Sequence, residues 1–173
     1  GAARVGGIDL AANPLAARRT LGVLPHNSGL YQQLTGRENI EYYGRLHGIA
    51  EAPLAARVDA LIERLELRAI ADRKAKGFSQ GQRLKTALAR ALIHRPRNIL
   101  LDEPTNGLDV MAVRNLRGLL EKLRDQGHCI LFSSHVMQEV AALCDEIVVI
   151  AHGTVVASGT QDDLRARTRH SSL

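Results

Sequence analysis

The sequence predicts an α/β fold in which helices cover the faces of a mainly parallel sheet. An apolar run from Ile99 to Leu101 ends abruptly in two carboxylates, Asp102 and Glu103, as expected of a buried strand that stops at a sheet edge. Segments with strand and helix periodicity also alternate through the middle of the chain. Ser/Thr-x-x-Glu/Gln patterns precede two of the helical segments.

The first half of the chain combines one strand with a run of helices. Its predicted elements are a helical piece starting at Asn13 and Pro14, a strand over 20–24 ending at Pro25, a helix opened by Thr35 and Glu38 and running to about His47, and a helix over about 53–67. In the last helix, apolar residues recur at helical spacing along one face. Together the helices predict a helical insert that follows the strand.

The second half predicts the strands that carry polar side chains at their ends. Its predicted elements are a helix opened by Ser79 and Gln82 and ending before Pro96, the carboxylate strand, a helix ending at Gly127, a strand over 128–132, a helix over about 136–143, and a hairpin of 146–151 with 154–158. After Leu164 the sequence is polar and basic, which predicts a disordered tail over residues 165–173.

Composition narrows the possible functions. The 173 residues carry a net charge of +5, and aromatic residues are only 3%, too few for a surface that stacks nucleic-acid bases. We therefore expect no nucleic-acid partner. No apolar run reaches the roughly 18 to 20 residues that cross a bilayer. Cys129 and Cys144 stand apart without metal-ligand spacing, so we expect both to be reduced core residues.

The carboxylate pair has chemistry suited to phosphate transfer. Parallel strands place their carboxyl ends at one edge of a sheet, where open α/β folds bind ligands. There Asp102 can hold Mg²⁺ through oxygen, and Glu103 can orient or deprotonate an attacking water. The alternative from these residues alone is a buried strand that ends in an acidic turn.

Three further positions are candidates for the same site. Ser79 at a helix N-terminus, followed by Gly81, offers a hydroxyl and free backbone N–H groups to a phosphate, although Ser79 could serve only as a helix cap. His135 follows a predicted strand, where a lone histidine is often incidental. Asp109 could cap the next helix, contact a partner, or do both.

The order and spacing of these motifs resemble those of a known protein family. FSQGQ precedes LLDEP by about twenty residues, GLD follows directly, and SSH comes one strand later. In this order the chain resembles the nucleotide-binding subunit of an ATP-binding cassette (ABC) transporter, over roughly residues 20–160. The resemblance implies a P-loop NTPase-like three-layer fold with a helical signature subdomain, and ATP and Mg²⁺ as cofactors.

The resemblance also implies a role for each site residue. The signature residues are Ser79, Gln80, Gly81 and Gln82, which in the family contact the γ-phosphate of ATP held by the opposite subunit. Asp102 matches the family's carboxylate that holds Mg²⁺, usually through water, and Glu103 its general base. His135 matches the switch histidine beside the γ-phosphate. Asp109 matches the D-loop aspartate at the dimer interface.

The chain departs from the family pattern in two ways. His26 stands where the family has a glutamine that contacts Mg²⁺, which makes His26 a further candidate metal ligand, although imidazole is a poorer ligand for this ion. The sequence around it resembles an exporter subgroup in which this glutamine is often replaced. No G-x-x-x-x-G-K-[ST] phosphate loop occurs in the chain. We therefore expect a domain incomplete at its N-terminus, with no ATPase activity on its own.

These motifs lead to one favoured function and two alternatives. We expect a partial ATPase domain over 1–170, with the helical subdomain inserted at about 36–95. It would be the ATP-hydrolysing subunit of a membrane exporter, a homodimer that binds a separate transmembrane permease at the cytoplasmic face of the membrane. The alternatives are a soluble cassette ATPase acting on nucleic acid or the ribosome, and a non-catalytic remnant.

Overall fold

The computed structural model describes residues 1–170, with side chains described through residue 166. It divides into two compact units, Gly1–Ser133 and a second that begins at Ser134. Each unit has its own sheet or sheets: the first holds a small hairpin and a parallel sheet, and the second an antiparallel pair.

The first unit contains five strands and five α-helices. In chain order they are β1 (Arg4–Val5), β2 (Ile8–Asp9), α1 (Pro14–Arg19), β3 (Leu21–Leu24), α2 (Gly36–Leu46), α3 (Glu51–Arg64), α4 (Gln80–Leu92), β4 (Asn98–Asp102), α5 (Val110–Asp125) and β5 (Cys129–Ser133), with 3-10 turns at Arg68–Ile70 and Ala75–Gly77. We call residues 36–95, which hold α2, α3 and α4, the helical insert. Strands β1 and β2 pair as a short antiparallel hairpin.

The parallel sheet has the order β3-β4-β5, so the carboxylate strand is central. Leu24 pairs with Leu101, and Asp102 pairs with Ser133. The face that carries Ile99 and Leu101 is buried, and helix α4 packs on it so closely that a Cβ added at Gly22 would lie 2.5 Å from the carbonyl oxygen of Ala91. The predicted parallel sheet with helices is thus confirmed.

Local sequence signals explain where the helices of the insert begin and end. Both predicted capping boxes form, from Thr35 to Glu38 and from Ser79 to Gln82. Helix α3 ends before the predicted limit because Glu66 adopts a left-handed backbone, with φ of 55°. The apolar face predicted for α3 is buried.

As far as the structure describes it, to residue 170, the second unit is built from two helices and a hairpin. Its elements are α6 (Met137–Leu143), β6 (Ile147–Ala151), β7 (Thr154–Gly159) and α7 (Gln161–His170). The predicted hairpin forms, turning at His152 and Gly153, both with left-handed backbones. No helix in the described part of the chain is long and apolar enough to cross a membrane.

Two expectations need correction. The sequence predicts a disordered tail over residues 165–173, but α7 continues to His170, while residues 171–173 lie outside the described part. The helix begins where Thr160 and Asp163 bond each other's backbone N–H groups, at 2.9 and 3.3 Å. Cys129 is exposed rather than part of the core, because it shares the outer face of β5 with exposed Leu131.

Candidate nucleotide site

The carboxylate pair lies at the carboxyl end of β4, where a serine of the neighbouring strand joins its two members. Asp102 is directly opposite Ser133 in the β4–β5 register. The Ser133 hydroxyl donates to Asp102 Oδ1 at 2.9 Å and accepts a hydrogen bond from the backbone N–H of Glu103, also at 2.9 Å. One hydroxyl thus fixes the Asp102 carboxylate and the peptide that leads to Glu103.

Glu103 has an unusual backbone conformation for a residue with a side chain. Its φ is 48°, in the left-handed region that costs a non-glycine residue about 1 to 2 kcal/mol. The chain turns sharply here, directly after the strand, and then enters buried Pro104. Such local strain is concentrated at functional sites. In a regular strand, successive side chains point to opposite faces of the sheet. Because the chain turns at Glu103, two successive carboxylates can reach one cleft.

Four of the predicted site residues line a common cleft of about 30 Å³. They are His26, Gln80, Asp102 and Glu103. His26 comes two residues after β3 and Asp102 ends β4, so parallel pairing brings these two positions to the same sheet edge. Gln80 comes from the first turn of α4. The structure therefore brings both candidate metal residues together with the candidate base and one signature residue.

The signature residues form the N-terminus of α4. Ser79 is the N-cap: its hydroxyl accepts from the backbone N–H of Gln82 at 3.3 Å, and the Gln82 side chain accepts from the Ser79 N–H at 3.0 Å. The capping role is therefore confirmed. It leaves the exposed Ser79 hydroxyl its own proton to donate, at the positive end of the helix dipole. Capping and phosphate binding are compatible in this geometry.

A second, larger cleft joins the signature to the segment after the carboxylates. Ser79, Gln80, Gly81 and Gln82 line it together with Gly107 and Asp109, around a volume of about 460 Å³. Gly107 has φ of 73°, a conformation that glycine adopts without strain. Gln80 lines both clefts, so the carboxylate and signature clefts adjoin within the first unit.

Asp109 caps α5, as one of its two predicted roles requires. Its Oδ1 accepts a hydrogen bond from the backbone N–H of Ala112 at 2.8 Å. The residue is exposed at the rim of the larger cleft, so its cap function does not bury it. The predicted interface role of Asp109 remains a prediction.

His135 belongs to the second unit, two residues beyond the end of β5. The residues around it are fixed locally: the Ser134 hydroxyl accepts from the Val136 N–H at 3.1 Å and donates to Glu139 at 3.3 Å. His135 itself is exposed. Its predicted role beside the phosphate remains a prediction.

The donor set at the carboxylates is compatible with Mg²⁺. This ion keeps several waters and takes one or two protein carboxylates together with phosphate oxygens. Asp102 is exposed and engages one carboxylate oxygen with Ser133, so it fits the ion's need for a single protein carboxylate. Within the described residues, no group of three or more His, Cys, Asp or Glu side chains could form a complete protein cage for a metal ion.

Ser133 is the site residue that sequence analysis did not assign. Its signal was present, because a polar residue ends a strand predicted to run parallel to the carboxylate strand. What the sequence could not supply is the register that sets Ser133 opposite Asp102.

Comparisons with known proteins agree with this geometry. The family model described as ABC transporter matches residues 1–106. The chain is 40% identical to the ABC transporter ATP-binding protein NatA of Bacillus subtilis, over 100% of this chain and 71% of NatA. It is 34% identical to the daunorubicin resistance ATP-binding protein DrrA3 of Streptomyces coeruleorubidus, over 97% of this chain and 53% of DrrA3.

A solved structure described as the ATP-binding subunit of an ABC transporter has the same fold. It matches with a TM-score of 0.81 and 29% sequence identity, over 94% of this chain and 68% of the other. The predicted fold class is therefore confirmed. The relatives also favour the predicted ATP-binding transporter class over the soluble nucleic-acid ATPase and the non-catalytic remnant.

Proposed function

Because this chain belongs to the ABC transporter family, whose ATP-binding subunits are ATPases, we propose that it supplies the ATP-hydrolysing part of a membrane exporter. The observation that carries this proposal is the pair of adjoining clefts that share Gln80. One cleft has the residues for hydrolysis, and the other has the residues for holding a phosphate. A relative named for daunorubicin resistance supports export as the direction of transport.

The carboxylate cleft acts on the attacking water. Glu103 is the general base that orients and deprotonates it, because its carboxylate follows directly on Asp102 at the strand end. Asp102, held by Ser133, is the residue that would hold Mg²⁺ through water, and His26 is a second candidate at the same cleft. Bound Mg²⁺ would supply charge neutralisation at the phosphates.

The signature cleft acts on a nucleotide bound by a partner cassette subunit that carries the phosphate loop missing from this chain. Ser79 donates its free hydroxyl proton to the γ-phosphate, and the N-terminus of α4 provides N–H groups and a partial positive charge. Gln80, Gly81 and Gln82 line the same opening, and Asp109 at its rim contacts the partner across the dimer interface. For His135, which belongs to the second unit, the proposed role is that of the family's switch histidine, which contacts the γ-phosphate.

A permease is the second partner, and the helical insert offers a surface for it. Tyr42 and Leu46 lie one turn apart on α2 and are exposed, and Tyr31 packs edge-on against Tyr42 with ring centroids 5.2 Å apart. Exposed apolar patches of this kind are typical of protein contacts. The chain would then act peripherally at the cytoplasmic face of the membrane.

The test is complementation between two subunits. The 173-residue chain is mixed with a cassette subunit that has an intact G-x-x-x-x-G-K-[ST] phosphate loop but whose signature serine is replaced, and phosphate release is measured at saturating ATP. We expect the chain to restore hydrolysis, and Ser79→Ala to lower the restored rate roughly 100-fold, because a donor to the developing charge is lost.

A matched control separates the chemistry from helix capping. Thr35→Ala removes the equivalent cap of α2, at the same expected stability cost of about 1 kcal/mol, but Thr35 lines neither cleft. We expect Thr35→Ala to keep the restored rate. No restored hydrolysis in a mixture that forms a complex by sedimentation would contradict the proposal.

A further inference from the structure

Arg90 is a buried cation in the last turn of α4, between the buried residues Ala89 and Ala91. It is only 4% exposed, and no carboxylate of the described residues lies within ion-pair distance of it. Burial of a charge is costly unless hydrogen bonds compensate it. The Arg90 guanidinium therefore needs hydrogen-bond acceptors within the protein.

The partner is the backbone of the loop that carries His26. Arg90 Nη1 donates to the carbonyl oxygen of Gly29 at 2.8 Å, and Nη2 donates to that of Ser28 at 2.7 Å. The guanidinium also lies over the ring of Tyr43, 4.3 Å from its centroid. Burial lowers the pKa of Arg90, while the neighbouring tyrosines Tyr43 and Tyr31 oppose this shift.

The loop is shaped to accept this fork of donors. Consecutive carbonyls of an extended chain point to opposite sides, so one guanidinium can meet both only where the backbone turns. The turn is at Gly29, whose φ of 57° is left-handed. His26 lies only two residues before Ser28, so fixing these carbonyls restricts where His26 can be.

A second residue of the helical insert fixes the other end of the same loop. Asn39 of α2 is fully buried; its side chain accepts from the N–H of Tyr31 at 2.8 Å and donates to the Tyr31 carbonyl at 3.1 Å. It also donates to the Thr35 carbonyl at 2.8 Å. The loop after β3 is therefore tied to α4 at one point and to α2 at another.

We infer that Arg90 is the positioning residue that holds the His26 loop against the carboxylate cleft. It lies on the same helix whose first turn carries the signature, so any movement of α4 is transmitted through the fork to Ser28 and Gly29, and through them to His26. This inference rests on the proposed function for the meaning of the His26 position, but the mechanical link stands on the contacts of Arg90 alone.

The test is backbone order in the loop, measured by ¹⁵N relaxation on the 173-residue chain. In the parent we expect order parameters near 0.85 for residues 27–30, and in Arg90→Met values below about 0.6, because the fork is lost while side-chain length is kept. The ring-proton shifts of His26 should move toward those of a free peptide. Amides of β4 and α3 should keep their order, which a general loss of structure would not allow.

Two variants complete the design. Arg90→Lys keeps the charge but cannot donate in parallel to both carbonyls, so residues 27–30 should have intermediate order parameters. This variant serves as the main test if Arg90→Met does not fold. Arg57→Met is the matched control, since Arg57 of α3 donates to the Ile93 carbonyl at 3.5 Å, outside the loop.

The possible outcomes separate this inference from the proposed function. An unchanged order of residues 27–30 in both folded Arg90 variants would overturn it, even if complementation by the parent chain succeeds. Loosening confined to the loop would support it, and would do so even if complementation fails, in which case the proposed function is the one at fault.

Discussion

The helical insert and the parallel sheet differ in how they use their apolar residues. In the insert, three helices close around side chains that are almost fully buried, such as Ile40, Leu54 and Leu88. The sheet buries Ile99 and Leu101 on one face only; on the other, Val23 is 41% exposed and Leu131 67%. The signature therefore rests on a densely packed support, and the carboxylates on a sheet packed from one side.

This difference assigns different tasks to the two regions. A core packed this densely has low compressibility and therefore transmits displacements instead of absorbing them. The insert is thus suited to carry Ser79 and Arg90 as one unit relative to the carboxylates. The sheet contributes the precise hydrogen bonds among Asp102, Ser133 and Glu103.

The largest loss of stability should come from shortening a side chain in the core of the insert. Leu88→Ala removes a side chain with 0% exposure, so we expect a loss of about 2 to 5 kcal/mol in the free energy of unfolding. Leu131→Ala on the open face of the sheet should change it by less than about 0.5 kcal/mol. Urea melts followed by circular dichroism measure both. Equal losses in the two variants would show that the contrast between the regions is wrong.

The next largest loss of stability should come from disturbing the contact between β3 of the sheet and α4 of the insert. Gly22 of β3 has no room for a methyl group, since an added Cβ would lie 2.5 Å from the Ala91 carbonyl and 2.7 Å from Pro96. We expect Gly22→Ala to cost about 1 to 3 kcal/mol, because backbone atoms of α4 must move away from the sheet. Gly118→Ala on α5 is the control, since nothing lies within 4 Å of its added Cβ.

The thermal unfolding midpoints of the two glycine variants measure how strongly the contact between α4 and β3 stabilises the chain. A lowered midpoint for Gly22→Ala and an unchanged or raised one for Gly118→Ala would indicate that close contact between α4 and β3 couples the insert to the sheet. If both variants unfold like the parent, the two regions are not held together through Gly22.

Sequence patterns predicted the local features well and the long-range ones poorly. The caps at Thr35 and Ser79 depend on residues three positions apart, so their signals can be found within one turn of a helix. The link from Ser133 to Asp102 depends on strand register across 31 residues, and the fork of Arg90 spans 61 residues to Gly29. No short window of sequence contains either pair.

The smallest effect is a dependence of the insert on pH. His94, just beyond α4, stacks on His47 at the end of α2, with centroids 3.7 Å apart and planes 6° apart. Burial, and then the neighbouring His47, lower the pKa of His94 to about 4. Burial, and then Arg19, also lower the pKa of His47.

The sign of this effect follows from proton binding. Well above pH 6.5 both the folded and the unfolded chain keep His94 neutral, so it adds no pH dependence. As pH falls from 6.5 toward 4 the unfolded chain takes up a proton that the folded chain does not, so stability is lost. Between pH 7.5 and 5 we expect a loss of about 1 kcal/mol, after allowance for solvent screening of the partly exposed ring.

Urea melts at pH 7.5, 6 and 5 measure this loss. His94→Asn should show a smaller decrease than the parent, because the ring with the lowered pKa is removed. The carboxylates of Glu38, Glu51 and Glu66, whose pKa values are lowered by their partners, titrate below this range and do not mask the effect. Identical pH profiles for the parent and His94→Asn would contradict it. A smaller decrease would mean that acid weakens the densely packed insert through the stacked His47–His94 pair, before the carboxylates that support the fold begin to protonate.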